Sequence, residues 1–311
     1  MSTGRQTMVR KAVVAPLREN LPPSILTLPD GRELAYHEYG DPAGVVVLNC
    51  HGGLVSGIDV EYSDEPARAL GVRLISPDRP GIGGSSRNPG HRMLDWASTD
   101  LTVLLQHLGV ERFSVLGWSE GGQYALAVAH AHADRVDRVA VVAGALPLAE
   151  PAHPSRLAEL NANDRRLIAL SGRAPLIARA YFLGSRWLTV LSPPLLARLA
   201  SIGLGPSDTT LITTYSNWFA RAMAESVADT RGSVDDYRAF GAPWGFAPED
   251  VRARVEVFQG DADRVIRAEW SRILVERLPD ARLHEYPGDG HFVALTRRAE
   301  ILERLVAPLP G

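Results

Sequence analysis

From residue 45 onward, the apolar residues gather into short runs separated by longer stretches in which they recur every third or fourth position. Val45–Cys50, Val72–Pro77, Phe113–Trp118 and residues 138–143 have the length and the β-branched or aromatic content of strands. Between them, residues 93–108 place Leu94, Leu101, Leu104, Leu105 and Leu108 at helical spacing. Strands buried on both faces and separated by helices predict a mostly parallel sheet, because parallel neighbours need a crossover connection. Upstream, residues 24–28 and 32–39 flank Asp30-Gly31, a dipeptide suited to the positive φ of a tight hairpin.

This alternation stops near residue 147 and resumes at 255. The stretch between is patterned as helix, with Leu157, Leu160 and Leu167, then segments 176–191, 195–199 and 211–227. A strand at 255–258, a helix at 268–278, a strand at 282–286 and a helix at 297–306 follow. The pattern predicts one α/β unit with a helical insertion. Residues 1–22 form an arm, 23–146 and 251–311 the core, and 147–250 the insertion.

Composition adds mainly exclusions. The chain has 311 residues, 45% hydrophobic and 22% charged, in the range of globular proteins. A net charge of −3 lacks the concentrated positive field that nucleic acid or an anionic membrane would need. The expected partner is therefore a small-molecule substrate, with no nucleic acid and no membrane, and the oligomeric state is left open. Cys50 stands alone, so no intrachain disulfide framework and no CxxC zinc site is available. Residues 12–17 are too short for a signal-peptide core, and no run has transmembrane length, which makes a cytoplasmic location the expectation.

Gly117-Trp118-Ser119-Glu120-Gly121 matches G-x-S-x-G. A chain this rich in glycine and serine would show such a pentapeptide by chance roughly one time in six, so its placement carries the weight. It closes a predicted strand and opens a predicted helix, the setting of a nucleophile elbow. Serine is a weak nucleophile near neutrality and needs a base, which in turn needs an orienting group. His291 lies in the glycine-rich loop Pro287-Gly288-Asp289-Gly290-His291 after a strand. The acid comes from Gln259-Gly260-Asp261-Ala262-Asp263, where Asp261 and Asp263 compete and the glycine–spacer–aspartate spacing favours Asp263. His51-Gly52-Gly53-Leu54 follows the strand Val45–Cys50. The backbone amides of Gly53 and Glu120, with Leu54 as the alternative to Gly53, are the candidate oxyanion donors. His51 is assigned a structural role.

Taken together, these residues resemble the α/β-hydrolase superfamily, in its group with a helical cap. His51-Gly52-Gly53 is similar to its oxyanion loop. Asp78-Arg79-Pro80-Gly81-Ile82-Gly83-Gly84-Ser85 is similar to its Asp-x-x-Gly-x-Gly-x-Ser loop, and the two loops at 260–263 and 290–291 to its acid and histidine loops. The likeness spans roughly residues 24–306. It departs at Arg267, where the family often has proline, and at Leu54-Val55, where proline iminopeptidases continue with Pro-Gly. The resemblance implies a serine hydrolase without metal or organic cofactor, acting on a small or medium, mainly apolar carboxylic ester. A carbon–carbon bond hydrolase, a cofactor-free lyase or perhydrolase, and a small-molecule receptor on the same fold are the alternatives. Leu54, Trp118, Tyr181, Phe182, Trp187, Trp218, Phe219 and Trp244 are the candidate pocket walls.

Overall fold

The Asp30-Gly31 turn opens the architecture of the computed structural model, which describes residues 22–308. Gly31 takes φ 83° and its N–H reaches the Leu28 carbonyl, closing a hairpin between β1 (Ser24–Thr27) and β2 (Glu33–Gly40). The expected N-terminal arm, apart from Pro22, lies outside the described residues. The remaining strands are β3 (Val45–Cys50), β4 (Val72–Pro77), β5 (Phe113–Trp118), β6 (Val136–Val142), β7 (Arg254–Gly260) and β8 (Ala281–Tyr286). They form one eight-stranded sheet in the order β1-β2-β4-β3-β5-β6-β7-β8. Only the β1–β2 and β2–β4 pairs are antiparallel; β3 to β8 are parallel.

Side chains alternate across the pleat and feed two apolar layers. Leu48, Val115, Val139 and Val141 face one layer, which is closed by α2 (Met93–Ser98), α3 (Asp100–His107), α4 (Glu120–Ala131) and α12 (Ala268–Arg277). Val47, Leu116, Ala140 and Val142 face the other, closed by α1 (Asp64–Ala69) and α14 (Arg298–Val306), with the short α13 (Val293–Thr296) before it. The single amphipathic segment expected at 93–108 is two helices. Ser98 and Thr99 turn their hydroxyls back onto the Leu94 and Asp95 carbonyls, and Thr99 leaves helical geometry at φ −110°, ψ −75°.

Between β6 and β7 the chain is helical. It runs through α5 (Arg156–Glu159), α6 (Ala162–Arg173), α7 (Pro175–Leu191), α8 (Pro193–Ala200), α9 (Pro206–Thr214), α10 (Ser216–Ser226) and α11 (Thr230–Phe240). Proline in the first turn of α7, α8 and α9 fits positions that have no intrahelical N–H bond to lose. These helices, α6 to α11 above all, form an insertion between β6 and β7, in the position expected of a cap.

At the centre of the sheet α4 begins one residue after β5 ends, so helix and strand meet at backbone distance. A Cβ on Gly121 would sit 1.9 Å from the Cys50 carbonyl oxygen. Gly121→Ala is therefore expected to cost more than about 3 kcal/mol and to abolish soluble folded protein. By contrast Gly184, on an exposed stretch of α7, has open space around it. Gly184→Ala should add roughly 0.5–1 kcal/mol by restricting the unfolded chain. The soluble yield of Gly121→Ala and the chemical denaturation of Gly184→Ala, each against the parent, check both signs.

Candidate active site

Ser119 sits between β5 and α4 at φ 56°, ψ −123°, a conformation that a side chain rarely adopts. The strain is held from both sides: the Ser119 N–H bonds to the Val142 carbonyl of β6, and its own carbonyl accepts from Gly122. This geometry lifts the hydroxyl off the sheet toward the loop that follows β8. There His291 Nε2 lies 2.9 Å from Ser119 Oγ, across 172 residues of sequence.

On the far side of the ring, His291 Nδ1 lies 2.9 Å from Asp263 Oδ2. Asp263 is held in turn. Its Oδ1 accepts the amides of Val265 (2.7 Å) and Ile266 (3.0 Å), and Oδ2 also accepts from Gln259 Nε2 at 3.2 Å. Of the two rival aspartates, Asp263 is the one brought to the imidazole. Asp261 instead accepts the Gly288 amide at 2.7 Å, joining the acid loop to the histidine loop. Burial disfavours the imidazolium, but the charge and hydrogen bond of Asp263 outweigh it and hold the His291 pKa above the ordinary value.

The loop after β3 comes to the first turn of α4. An added Cβ on Gly53 would meet Glu120 Oε2 at 2.7 Å, so Gly53 faces the helix whose first amide belongs to Glu120. That amide has no intrahelical acceptor. Leu54 follows in a left-handed conformation, φ 57°. His51 shapes this loop: Nδ1 meets the Gly52 carbonyl at 2.9 Å and Nε2 accepts the Arg79 amide at 3.1 Å. Burial pushes its pKa down to about 3, so it is neutral and unsuited to proton transfer.

Arg79 and Asp208 were not singled out by the sequence reading. Arg79 is fully buried, donates to the carbonyls of His51 and Gly52, and is gripped by Asp236 of α11 at 2.8 and 2.9 Å. Glu120 Oε2 lies 3.7 Å from the same guanidinium. Burial and the charge of Asp236 push the Glu120 pKa well up against the pull of Arg79, favouring a neutral carboxyl beside Gly53. Asp208, in the first turn of α9, accepts the backbone N–H of His291 and of Phe292, each at 2.9 Å. A Cβ on Gly290 would lie 2.2 Å from its Oδ2, which explains the glycine before the histidine. The only sequence signal was a carboxylate near a helix start, and nothing in it pointed 83 residues downstream.

The expected pocket walls divide. Trp118 packs against His291 and Phe292, and its indole N–H donates to the His291 carbonyl at 2.9 Å, so it backs the histidine loop. Trp218 donates to the Ile58 carbonyl and packs on Tyr62, while Trp244 donates to Gln123 Oε1 and packs on Phe246. Phe182 and Phe219 are buried within the helical packing, whereas Tyr181 is largely exposed. Trp187, expected to line a pocket, is 61% exposed because it lies on the outward face of α7. Among the described residues, no group of three or more His, Cys, Asp or Glu is placed to hold a metal ion.

Comparison with known proteins places this geometry. A family profile described as alpha/beta hydrolase fold matches residues 45–297. A 2-hydroxymuconate semialdehyde hydrolase of Pseudomonas putida is 28% identical over 75% of this chain and 75% of its own. A 2-hydroxy-6-oxononadienedioate/2-hydroxy-6-oxononatrienedioate hydrolase of Cupriavidus pinatubonensis (strain JMP 134 / LMG 1197) is 25% identical, over 92% and 94%. Among solved structures, an esterase from Exiguobacterium antarcticum superposes with a TM-score of 0.69 at 19% identity, covering 91% of this chain and 98% of that one.

Two substitutions test the supports. Asp208→Ala leaves two buried amides without an acceptor and should cost roughly 2–4 kcal/mol in chemical denaturation. Asp263→Asn should lower kcat about 10³–10⁴-fold, as expected when the imidazole loses its orienting carboxylate, while Asp261→Asn should cost less than about tenfold. Equal losses in steady-state hydrolysis would remove the assignment of the acid to Asp263, and a larger loss at Asp261 would reverse it.

Proposed function

The chain belongs to the alpha/beta hydrolase fold family, and from that premise we propose that it is a serine hydrolase cleaving a small or medium, mainly apolar carboxylic ester through an acyl-enzyme. The observation that carries this reading is the continuous hydrogen-bonded array Ser119 Oγ–His291 Nε2 and His291 Nδ1–Asp263 Oδ2, with both separations 2.9 Å. A hydroxyl on a strained turn, a base within reach of it and a carboxylate fixing the tautomer of that base are what acyl transfer to a neutral serine needs.

Ser119 Oγ attacks the ester carbonyl as His291 Nε2 takes its proton. The carbonyl π pair moves onto oxygen, where the amides of Gly53 and Glu120 stabilise it. Collapse of the intermediate expels the alkoxide, which leaves as an alcohol with the proton from His291. Water then attacks the acyl-serine with His291 again as base, giving the carboxylic acid and free enzyme. Asp263 keeps Nδ1 protonated and steadies the transient imidazolium throughout.

The second reading is hydrolysis of a carbon–carbon bond, favoured by the two relatives described above. Ester and diketone substrates assayed side by side separate the two.

A fluorophosphonate should label the folded protein at Ser119, and Ser119→Ala should abolish labelling. Ser119→Ala and His291→Ala should each lower kcat by about 10⁴–10⁶, with the double variant little worse, because the two act as one unit. Because His291 must be neutral to act as base and its pKa is raised, kcat/KM should rise with pH through a value above the ordinary imidazole value of about 6.5. Near-additive losses, or labelling retained in Ser119→Ala, would defeat the proposal.

A further inference from the structure

Helix α7 is turned inside out relative to an ordinary surface helix. Its inner face presents Ala178, Phe182 and Thr189 to the rest of the insertion. Its outer face is apolar as well: Leu176, Leu183, Trp187 and Val190 recur at helical spacing and are 47 to 74% exposed. The stripe continues into α8 and the turn after it, where Leu199 and Ile202 are also exposed. Scattered exposed leucines are unremarkable, but a contiguous stripe of this length marks an interaction surface.

Charge identifies what the surface fits. Residues 165–207 contain six arginines and neither aspartate nor glutamate, within a chain whose net charge is −3. Arg179 and Arg186 flank the stripe on one side of α7, and Arg173 and Arg198 lie toward the ends of the α7–α8 segment. Where these arginines bond within the chain they use neutral acceptors, Arg186 the Ala228 carbonyl and Arg179 the Thr230 hydroxyl. The small negative net charge does not cancel this field at contact. Screening limits each charge to roughly 10 Å at 0.1 M salt, so a docked surface feels the local arginines and little of the rest.

We propose that the outer face of α7 and α8 is a peripheral docking surface for an anionic lipid bilayer. The apolar stripe enters the interface and the flanking arginines pair with headgroups, the pattern of an interfacial amphipathic helix. No helix among the described residues is long and apolar enough to cross a membrane, so the contact is superficial. A second copy of the chain fits less well, because an isologous contact would set arginines against the same arginines. The segment 1–21 is also a poor occupant, carrying Arg5, Arg10, Lys11 and Arg18 against Glu19 alone. Docking would place the cap, and the serine site it covers, at a lipid–water boundary.

The full chain sedimented with vesicles tests this directly. Binding to phosphatidylglycerol vesicles should exceed binding to phosphatidylcholine vesicles at least about tenfold, should fall sharply at about 0.5 M salt, and should shift tryptophan emission to the blue. Leu183→Gln/Val190→Gln and Arg179→Gln/Arg186→Gln should each weaken binding at least about tenfold while melting, and hydrolysis of a water-soluble ester, stay unchanged. The proposal is overturned by equal affinity for both vesicles, by no binding, or by binding that survives Leu183→Gln/Val190→Gln. It is also overturned if the protein alone forms a concentration-dependent dimer that this variant dissociates, since the face would then be occupied by a second copy.

Discussion

The turn at Ser119 has no spacer between strand and helix, and the geometry around it follows from that constraint. Its backbone is held at φ 56° because β5 is locked to β6 on one side and α4 closes on the other. Strand and helix must then touch backbone to backbone, which excludes a side chain at Gly117 and Gly121. The same closeness brings the first turn of α4 against the loop after β3, so Gly53 and Glu120 become neighbours. A local strain thus orders two parts of the site, the nucleophile and the candidate oxyanion donors.

The loops around this turn are held by a set of buried polar contacts descending from the helical insertion. Arg79 has no contact with solvent, and an unpaired guanidinium there would be strongly destabilising. Asp236 of α11 supplies its counter-charge, while the guanidinium in turn ties down the carbonyls of His51 and Gly52. Asp208 of α9 does the same for the histidine loop through two amides. The insertion is therefore more than a cover over the site. Helices from it complete the hydrogen bonding of two of the loops that carry the chemistry.

Charge divides the insertion along its length. Within α6 to α11 the carboxylates that reach the core, Asp208, Glu225, Asp235 and Asp236, all follow residue 207, and Glu225 and Asp235 hold Ser56 and Arg87 respectively. The half before it, from 165, is exclusively cationic and turns its apolar side outward. One half is built to grip the rest of the chain and the other is not satisfied by it.

The strands, the order of the helices and the serine, acid and histidine loops were legible from the sequence because each is written in local terms. Runs of β-branched residues, 3.6-residue spacing and glycines at strand ends report on neighbours a few positions away. The break at Thr99 was missed, since two hydroxyls competing for backbone carbonyls leave the apolar spacing intact. Asp261 and Asp263 could not be separated by spacing alone, and only the folded loop sends one to His291 and the other to Gly288. Arg79 entered the sequence reading only as part of the Asp78–Ser85 loop and Asp208 not at all, because a buried ion pair is defined by a partner 157 residues away and a loop clamp by one 83 away. Trp187 read as a pocket wall for the converse reason: its apolarity is visible in the sequence, but which way its face of α7 turns is not. By itself the sequence determined the elements and the residue types of the candidate site, since both follow from short-range pattern. The tertiary structure alone decided which aspartate serves the histidine, which cap carboxylates hold the loops, and which apolar residues are left facing outward, because burial and long-range pairing exist only once the chain has closed on itself.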